Sequence, residues 1–495
     1  MLHTVHPYGM LSARCCLLDI QGQSGSVVVS TETVKMSWSR LMVVGLMVVV
    51  VSYKVKYMMK EPPLPHLEPD PWWGPGEPQD EDVSINRFSI SVSDEDLRDF
   101  KARLALPLRL TPALEDANFT YGMNSDTLQE IVEHWREKYD WRKREARLNS
   151  YPHFKTRIEG LDIHFMRANS KIGSAKNVKA VPLLLIHGWP GSFVEFYDIL
   201  PLLNHPQEGS NVVFDVICAS IPGYGFSQSS SKQGFGNIET AQVFLKLMKR
   251  LGYEKFYLQG GDWGSLIATN MAIMYPDHIL GVHVNTFYVS TPGLTFRIKM
   301  LLGAFLPAGV VVAKEDQNKL YPLSNLFSMV LMETGYMHLQ ATKPDTIGAG
   351  LNQNPVSLAA YILEKFSIWT HRDNRHKPDG GLLHGDFPIS LDNLLDNICI
   401  YWFTSSITTS ARLYSEAFNK KTYGMLDNIP CRVPAGLAIF PQENLKLPKN
   451  FLAHKYHNIV TYNEQPAGGH FSAMEQPTLV AVDLHKFVST LENTT

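Results

Sequence analysis

One short stretch, Lys255-Phe256-Tyr257-Leu258-Gln259-Gly260-Gly261-Asp262-Trp263-Gly264-Ser265, constrains this chain more than any other. Three glycines surround an acid immediately after an apolar run. That composition suits a sharp turn from a strand into a helix, where small neighbours clear the space and strained backbone pushes the apex side chain outward. The apex residue is Asp262, not serine. A carboxylate held there can attack a carbon electrophile and form an ester that a second step must hydrolyse. A glycine-rich turn carrying a surface aspartate explains the same residues equally well, so the rest of the chain has to decide.

Strand and helix patterns around this turn alternate. Val181-Pro182-Leu183-Leu184-Leu185-Ile186 is a continuous apolar run of the kind buried on both faces, and it ends in His187-Gly188-Trp189-Pro190-Gly191-Ser192. Val212 to Ile217 leads into Pro222-Gly223-Tyr224-Gly225-Phe226-Ser227, an amphipathic helix follows over Ala241–Leu251, and a further strand lies near Val282–Asn285. This rhythm predicts a parallel α/β sheet whose ligands sit at the C-terminal ends of the strands, where all three glycine-rich loops fall. From Thr291 to about Asn428 the text turns helical, rich in Met and aromatic residues, as an insertion over the site would be. The sheet resumes at Gly436–Glu443 and Asn458–Tyr462, and Gly468-Gly469-His470-Phe471 precedes a closing helix over Leu479–Val488.

Upstream, Ser93-Asp94-Glu95-Asp96 caps a helix with Leu97, Phe100 and Leu104 on one face, stopped by Pro107. A second helix starts near Ser125, with Leu128, Ile131, Val132, Trp135 and Tyr139 inward, and residues 156–165 form a hairpin turning at Glu159-Gly160. Seven prolines between Glu61 and Asp80 rule out a continuous helix or central strand there. Trp72-Trp73 within this arm is either an interfacial anchor or a plug on the domain surface, and the second reading is preferred. Leu41 to Val51 is apolar and uncharged, flanked by Arg40 and by Lys54, Lys56 and Lys60. It is short for a span unless the flanks snorkel, and no small-residue cleavage site follows, so an uncleaved anchor in membrane lipid is expected. Residues 1–35 are assigned no structure, and Met36 is an alternative start.

The expected division is therefore an N-terminal extension and anchor over 1–60, with its apolar run at 41–53, and a proline-rich arm over 61–84. A cover region over 85–180 follows, then an α/β core over 181–290 and 428–495 with a helical lid over 291–427. The net charge of -3 supplies no field for nucleic acid, and the five cysteines form neither a C-x-x-C pair nor a regular framework, which fits a reducing compartment and suggests no metal.

Asp262, Glu443 and His470 stand in the chain order nucleophile, acid, histidine that α/β-hydrolases use, and Glu416 and Glu464 compete with Glu443 for the middle role. A lone histidine is ordinarily a satisfied structural residue; its place after the last strand, in this order, favours catalysis. With these residues in view the chain resembles the microsomal-type epoxide hydrolases, including the juvenile hormone epoxide hydrolases of insects. The matching segments are His187–Ser192, Gly260–Ser265, Gly335-Tyr336-Met337-His338, Phe440-Pro441-Gln442-Glu443 and Gly468–Phe471, with Tyr151-Pro152-His153-Phe154 and Ile158–Asp162, so the resemblance runs from about Ile85 to the C-terminus.

The resemblance implies hydrolysis of a small hydrophobic epoxide to a diol, with water as co-substrate and neither cofactor nor metal. It assigns Asp262 as nucleophile, His470 with Glu443 as the water-activating pair, and Tyr336 and Tyr414 as the phenols on the epoxide oxygen, Tyr414 delivering the proton. The backbone N–H groups of Trp189 and Trp263 form the oxyanion hole. Packing is the alternative for either tyrosine, since the chain contains 20. A haloalkane dehalogenase would use the same Asp-His-acid chemistry but release halide. A non-catalytic interaction module of the same fold would not need all these positions filled, and a serine esterase is disfavoured because no G-x-S-x-G occurs. Two basic residues before the apolar run and three after it, together with the resemblance, place the catalytic part on the cytosolic face of the endoplasmic reticulum. The sequon Asn118-Phe119-Thr120 is then expected to stay bare.

Overall fold

Five largely apolar strands of five to eight residues build the centre of the protein because neither of their faces can be left in water. In the computed structural model, which describes residues 12–18, 29–35, 42, 46–47, 53–54, 60–172, 178–288, 292–383, 386–419 and 424–493, the chain divides into two compact units. One comprises Met1–Glu61 with Gly293–Ile298, the other Pro62–Pro292 with Lys299–Thr495.

In the first unit, β1 (Ser12–Leu18) pairs antiparallel with β2 (Val29–Lys35). No structure was expected here; the Val and Thr residues of Val29–Lys35 supply the β-branched content a strand favours. The expected anchor over 41–53 lies mostly outside the described residues. Among the described residues no helix is long and apolar enough to cross a membrane.

The second unit holds β3 (Asn86–Phe88), β4 (His153–Ile158), β5 (Leu161–Ala168), β6 (Lys179–Ile186), β7 (Val212–Ala219), β8 (Phe256–Gly260), β9 (Ile279–Val284), β10 (Ala435–Ile439) and β11 (Ile459–Glu464). They form one sheet in the order β11-β10-β9-β8-β6-β7-β5-β4-β3. From β7 through β11 all neighbours are parallel, and β5, β4 and β3 extend the edge by antiparallel pairing. The sheet is thus mostly parallel, as the alternating pattern predicts, and β6 is buried at every position from Leu183 to Ile186. The hairpin turns at Glu159 (φ 54°) and Gly160 (φ 80°) and continues the same sheet instead of capping it. The sequence leaves this open, because hairpin register is local whereas the pairing of β5 with β7 joins Phe165 to Ala219 across the chain.

Helices Asp94–Leu104 and Ser125–Glu137 bury the predicted faces, with Ile131, Val132 and Trp135 fully enclosed. A third helix, Trp141–Leu148, went unpredicted because its charged text, WRKREARL, has little apolar periodicity. It pins the cover region to the insertion: Arg144 Nη2 lies 2.5 Å from Asp396 Oδ2 on helix Leu391–Phe403, and Tyr139 Oη donates to Asp396 at 2.9 Å. The proline-rich arm lies along the second unit, Trp73 Nε1 donating to Glu159 Oε2 at 3.0 Å while its ring meets Phe235 edge-on at 5.3 Å. Trp72 covers Gly160 so closely that a Cβ there would come within 2.8 Å of the indole. Both tryptophans are surface plugs.

Candidate active site

The turn after β8 is as tight as its glycines imply. Asp262 opens helix Asp262–Met274 at φ 48°, a left-handed conformation rare for a residue with a side chain. Two close approaches make the geometry possible. A Cβ on Gly264 would lie 1.9 Å from the Ile186 carbonyl, and one on Gly188 would lie 2.3 Å from the Asp262 Cβ. His187 ties the loop after β6 to the one after β7: its Nε2 accepts from Ile221 N at 3.2 Å and its Nδ1 donates to Gly188 O at 3.0 Å. Burial lowers His187 to about 4, so the ring is neutral and keeps the one tautomer these bonds require.

Trp189 N donates to Asp262 Oδ1 at 2.8 Å, and the Trp263 N–H also favours the carboxylate. Burial would raise the Asp262 pKa; His470 and the two backbone donors outweigh it and hold the group below the usual carboxylate range. Across from it His470 Nε2 lies 3.4 Å from Asp262 Oδ2. That separation is an electrostatic contact and not a formed hydrogen bond, and Nε2 has no hydrogen-bond partner among the described residues. Nδ1 of the same ring donates to Glu443 at 2.9 and 3.1 Å. Burial would lower the imidazole pKa, but the Glu443 and Asp262 carboxylates reverse this and raise it well above its ordinary value.

Glu443 follows β10 in the loop where strand-end position puts it, and Thr286 Oγ1 and Asn444 N donate to its carboxylate at 2.9 and 2.7 Å. Its two rivals are engaged elsewhere: Glu416 accepts from Gly234 N at 2.9 Å, and Glu464 pairs with Lys319. The His470 loop is drawn in by its glycines, since a Cβ on Gly469 would lie 2.5 Å from Thr370 O, and His470 N donates to Trp369 O at 3.1 Å.

Tyr336 and Tyr414, on helices Gly335–Thr342 and Ser406–Asn419, meet edge-on with ring centroids 5.9 Å apart. Tyr336 stacks on Trp189 at 4.9 Å, and Tyr414 stands edge-on to Trp263 at 4.8 Å. Both phenols are therefore over the two residues whose N–H groups surround Asp262. Burial first, then the Asp262 charge, pushes Tyr336 well above the ordinary phenol range; burial, then Tyr336 and Asp262, does the same for Tyr414. With Trp369, 5.2 Å from Tyr336 and 4.9 Å from His470, these rings make an apolar wall with two hydroxyls in it.

Two residues of the site escaped the sequence. Tyr288 Oη donates to Asp262 Oδ2 at 2.9 Å, and Glu475 accepts from Gly469 N at 2.7 Å and Phe471 N at 2.8 Å, bracketing His470. Tyr288 has no local signal. The short spacing from Gly469 to Glu475 could have suggested a carboxylate folding back on its own loop.

Residues 85–196 match the family described as epoxide hydrolase N terminus, and residues 181–380 match the alpha/beta hydrolase fold. The chain is 47% identical over 426 residues to juvenile hormone epoxide hydrolase 1 of Ctenocephalides felis, covering 86% of this chain and 90% of that one. This chain belongs to the epoxide hydrolase family of the α/β-hydrolase fold. Its identity to epoxide hydrolase 1 of Sus scrofa is also 47%, over 435 residues, covering 86% of this chain and 93% of the relative. The crystal structure of juvenile hormone epoxide hydrolase from the silkworm Bombyx mori superposes with a TM-score of 0.82 at 42% identity, covering 86% of this chain and all of that one. Epoxide hydrolases thus share nearly their whole length with it, and neither a halide-releasing enzyme nor a non-catalytic module is favoured.

Proposed function

We propose that the protein converts small hydrophobic epoxides to vicinal diols through an ester on Asp262. The observation that carries this reading is the line Glu443–His470–Asp262, with Asp262 Oδ1 on the Trp189 N–H and two phenols above it. In the first step Asp262 Oδ2 attacks one epoxide carbon and the carbon–oxygen bond opens. Tyr336 and Tyr414 hydrogen-bond the departing oxygen, and Tyr414 delivers its proton. Ester formation also removes the negative charge of Asp262, one of the two that hold the proton on His470. The imidazole pKa falls at the moment a base is needed, and the proton it releases restores the Tyr414 phenol through solvent, leaving His470 neutral. His470, oriented by Glu443, then takes a proton from water. The hydroxide adds to the ester carbonyl, the Trp189 and Trp263 N–H groups bear the oxyanion, and the alkoxide of the diol leaves with the proton from His470.

In this reading 181–290 and 428–495 are the catalytic core, 291–427 the lid, 85–180 the cover, 61–84 the arm and 1–60 the extension with its anchor. Aromatic walls suit arene, alkene or lipid oxides, consistent with a place in xenobiotic or lipid-epoxide metabolism. Incubation with styrene oxide, a fatty-acid epoxide and a terpenoid epoxide should give diol from at least one; halide release from haloalkanes with no diol from any epoxide would refute the assignment.

The anchor would hold the protein in the endoplasmic reticulum membrane with the catalytic domain in the cytosol. A bare Asn118 alone cannot test this, because a lumenal sequon can also stay unmodified. Protease treatment of sealed microsomes can. The catalytic domain should be digested without detergent, and protection until detergent is added would put it in the lumen.

A further inference from the structure

On the side of Asp262 next to the His470 loop lies a cavity with about 10 Å³ open to the centre of a water-sized sphere, room for one water. Among the groups lining it are Glu195, Gln259, Asp262, Asn285, His470 and Ser472. His470, whose Nε2 is left without a hydrogen-bond partner among the described residues, lines the same cavity. Glu195 comes from the short helix Phe193–Phe196 after β6, and the chain clears a place for its carboxyl: a Cβ on Gly191 would lie 1.6 Å from Glu195 Oε1. The residue is half-buried, part of its surface facing the cavity.

We propose that Glu195 positions the hydrolytic water of the second step, accepting one of its hydrogens while His470 Nε2 takes the other. The inference rests on the two-step reading above. Water that donates one hydrogen to His470 and one to the Glu195 carboxyl has its lone pairs free to add to the ester carbon of Asp262. The proton passes to His470, not to Glu195. Burial raises Glu195 to about 8, helped by the Asp262 charge and opposed by His470 and the Gly188 N–H, so near neutral pH it is mostly the uncharged acid. In the ester, where Asp262 is neutral, an uncharged carboxyl can hold the water without adding a second negative charge beside Glu443. The reaction needs only its oxygen as an acceptor, which a glutamine amide also offers.

Rapid mixing of the full chain with styrene oxide separates the two steps. Glu195→Leu, or Glu195→Ala should the first not fold, should form the Asp262 ester within about threefold of the wild-type rate and hydrolyse it about 30-fold more slowly, so that ester accumulates. Glu195→Gln should recover hydrolysis to within about fivefold, because the acceptor is restored. Three results would overturn the inference: unchanged hydrolysis in the apolar variants, equal slowing of both steps in every variant, or glutamine as slow as leucine at hydrolysis, which would make Glu195 a base. Failure of the wild type to form any ester would instead refute the two-step reading itself, so the two failures are distinguishable.

Discussion

His470→Gln should stop the protein after its first half-reaction, leaving it heavier by one substrate mass at a peptide containing Asp262. The attack on the epoxide requires the Asp262 carboxylate, its backbone donors and the phenols, none of which the substitution removes. Hydrolysis of the ester requires a base beside it, and His470, whose Nε2 lies 3.4 Å from Oδ2, is placed to supply it. Loss of that base should slow the second step about 10²- to 10⁴-fold. The sign of the accompanying pH effect is determined too. His470 is the strongest influence lowering the Asp262 pKa, so without it burial raises that pKa and the carboxylate forms only at higher pH. The acid limb of ester formation should therefore move to higher pH than in the wild type. Asp262→Ala should gain no mass and turn nothing over. In a single turnover of the wild type in H₂¹⁸O, the first diol should carry unlabelled oxygen from Asp262 while the label enters the protein. Labelled diol on that turnover, with no adduct in His470→Gln, would establish direct attack of water on the epoxide.

Removing both lid phenols should nearly abolish ester formation. Tyr336 and Tyr414 lie 5.9 Å apart between ring centroids, each against one of the tryptophans beside Asp262, so both hydroxyls can reach one oxygen above the nucleophile. Either phenol alone should partly replace the other, and Tyr336→Phe or Tyr414→Phe should cost about 10- to 100-fold in the alkylation step. Together they should cost more than the product of the two single losses, since the second deletion leaves the alkoxide with no donor. Tyr414→Phe should be the more damaging single change if it supplies the proton. Rapid-mixing fluorescence of the nearby tryptophans reports the step directly. Alkylation near the wild-type rate in the double variant would reduce both residues to packing.

The parts of this site legible from the sequence are those governed by local backbone geometry. Gly260, Gly261 and Gly264 announce a turn whose sterics only small residues satisfy, and Asp262 is conspicuous because it stands inside it. His470 is found in the same way, through Gly468 and Gly469. The tyrosines had no such signal. They sit on helices whose text carries no distinctive turn, and only the likeness to a known family singled them out.

Where recognition depends on residues far apart in the chain, folding alone decided. Glu443, Glu416 and Glu464 look alike as text; a strand neighbour distant in sequence brings Thr286 to the first, while Gly234 and Lys319 occupy the others. Tyr288, Glu475 and Glu195 entered the site through contacts that no periodicity encodes. By itself the sequence determined the sheet, its helical insertion and the sharp turn presenting an acid, because steric limits and apolar periodicity act within a few residues. The tertiary structure decided which acid meets the histidine, that the hairpin lengthens the sheet, and which carboxyl faces the water-sized cavity, because those outcomes depend on side chains brought together from opposite ends of the domain.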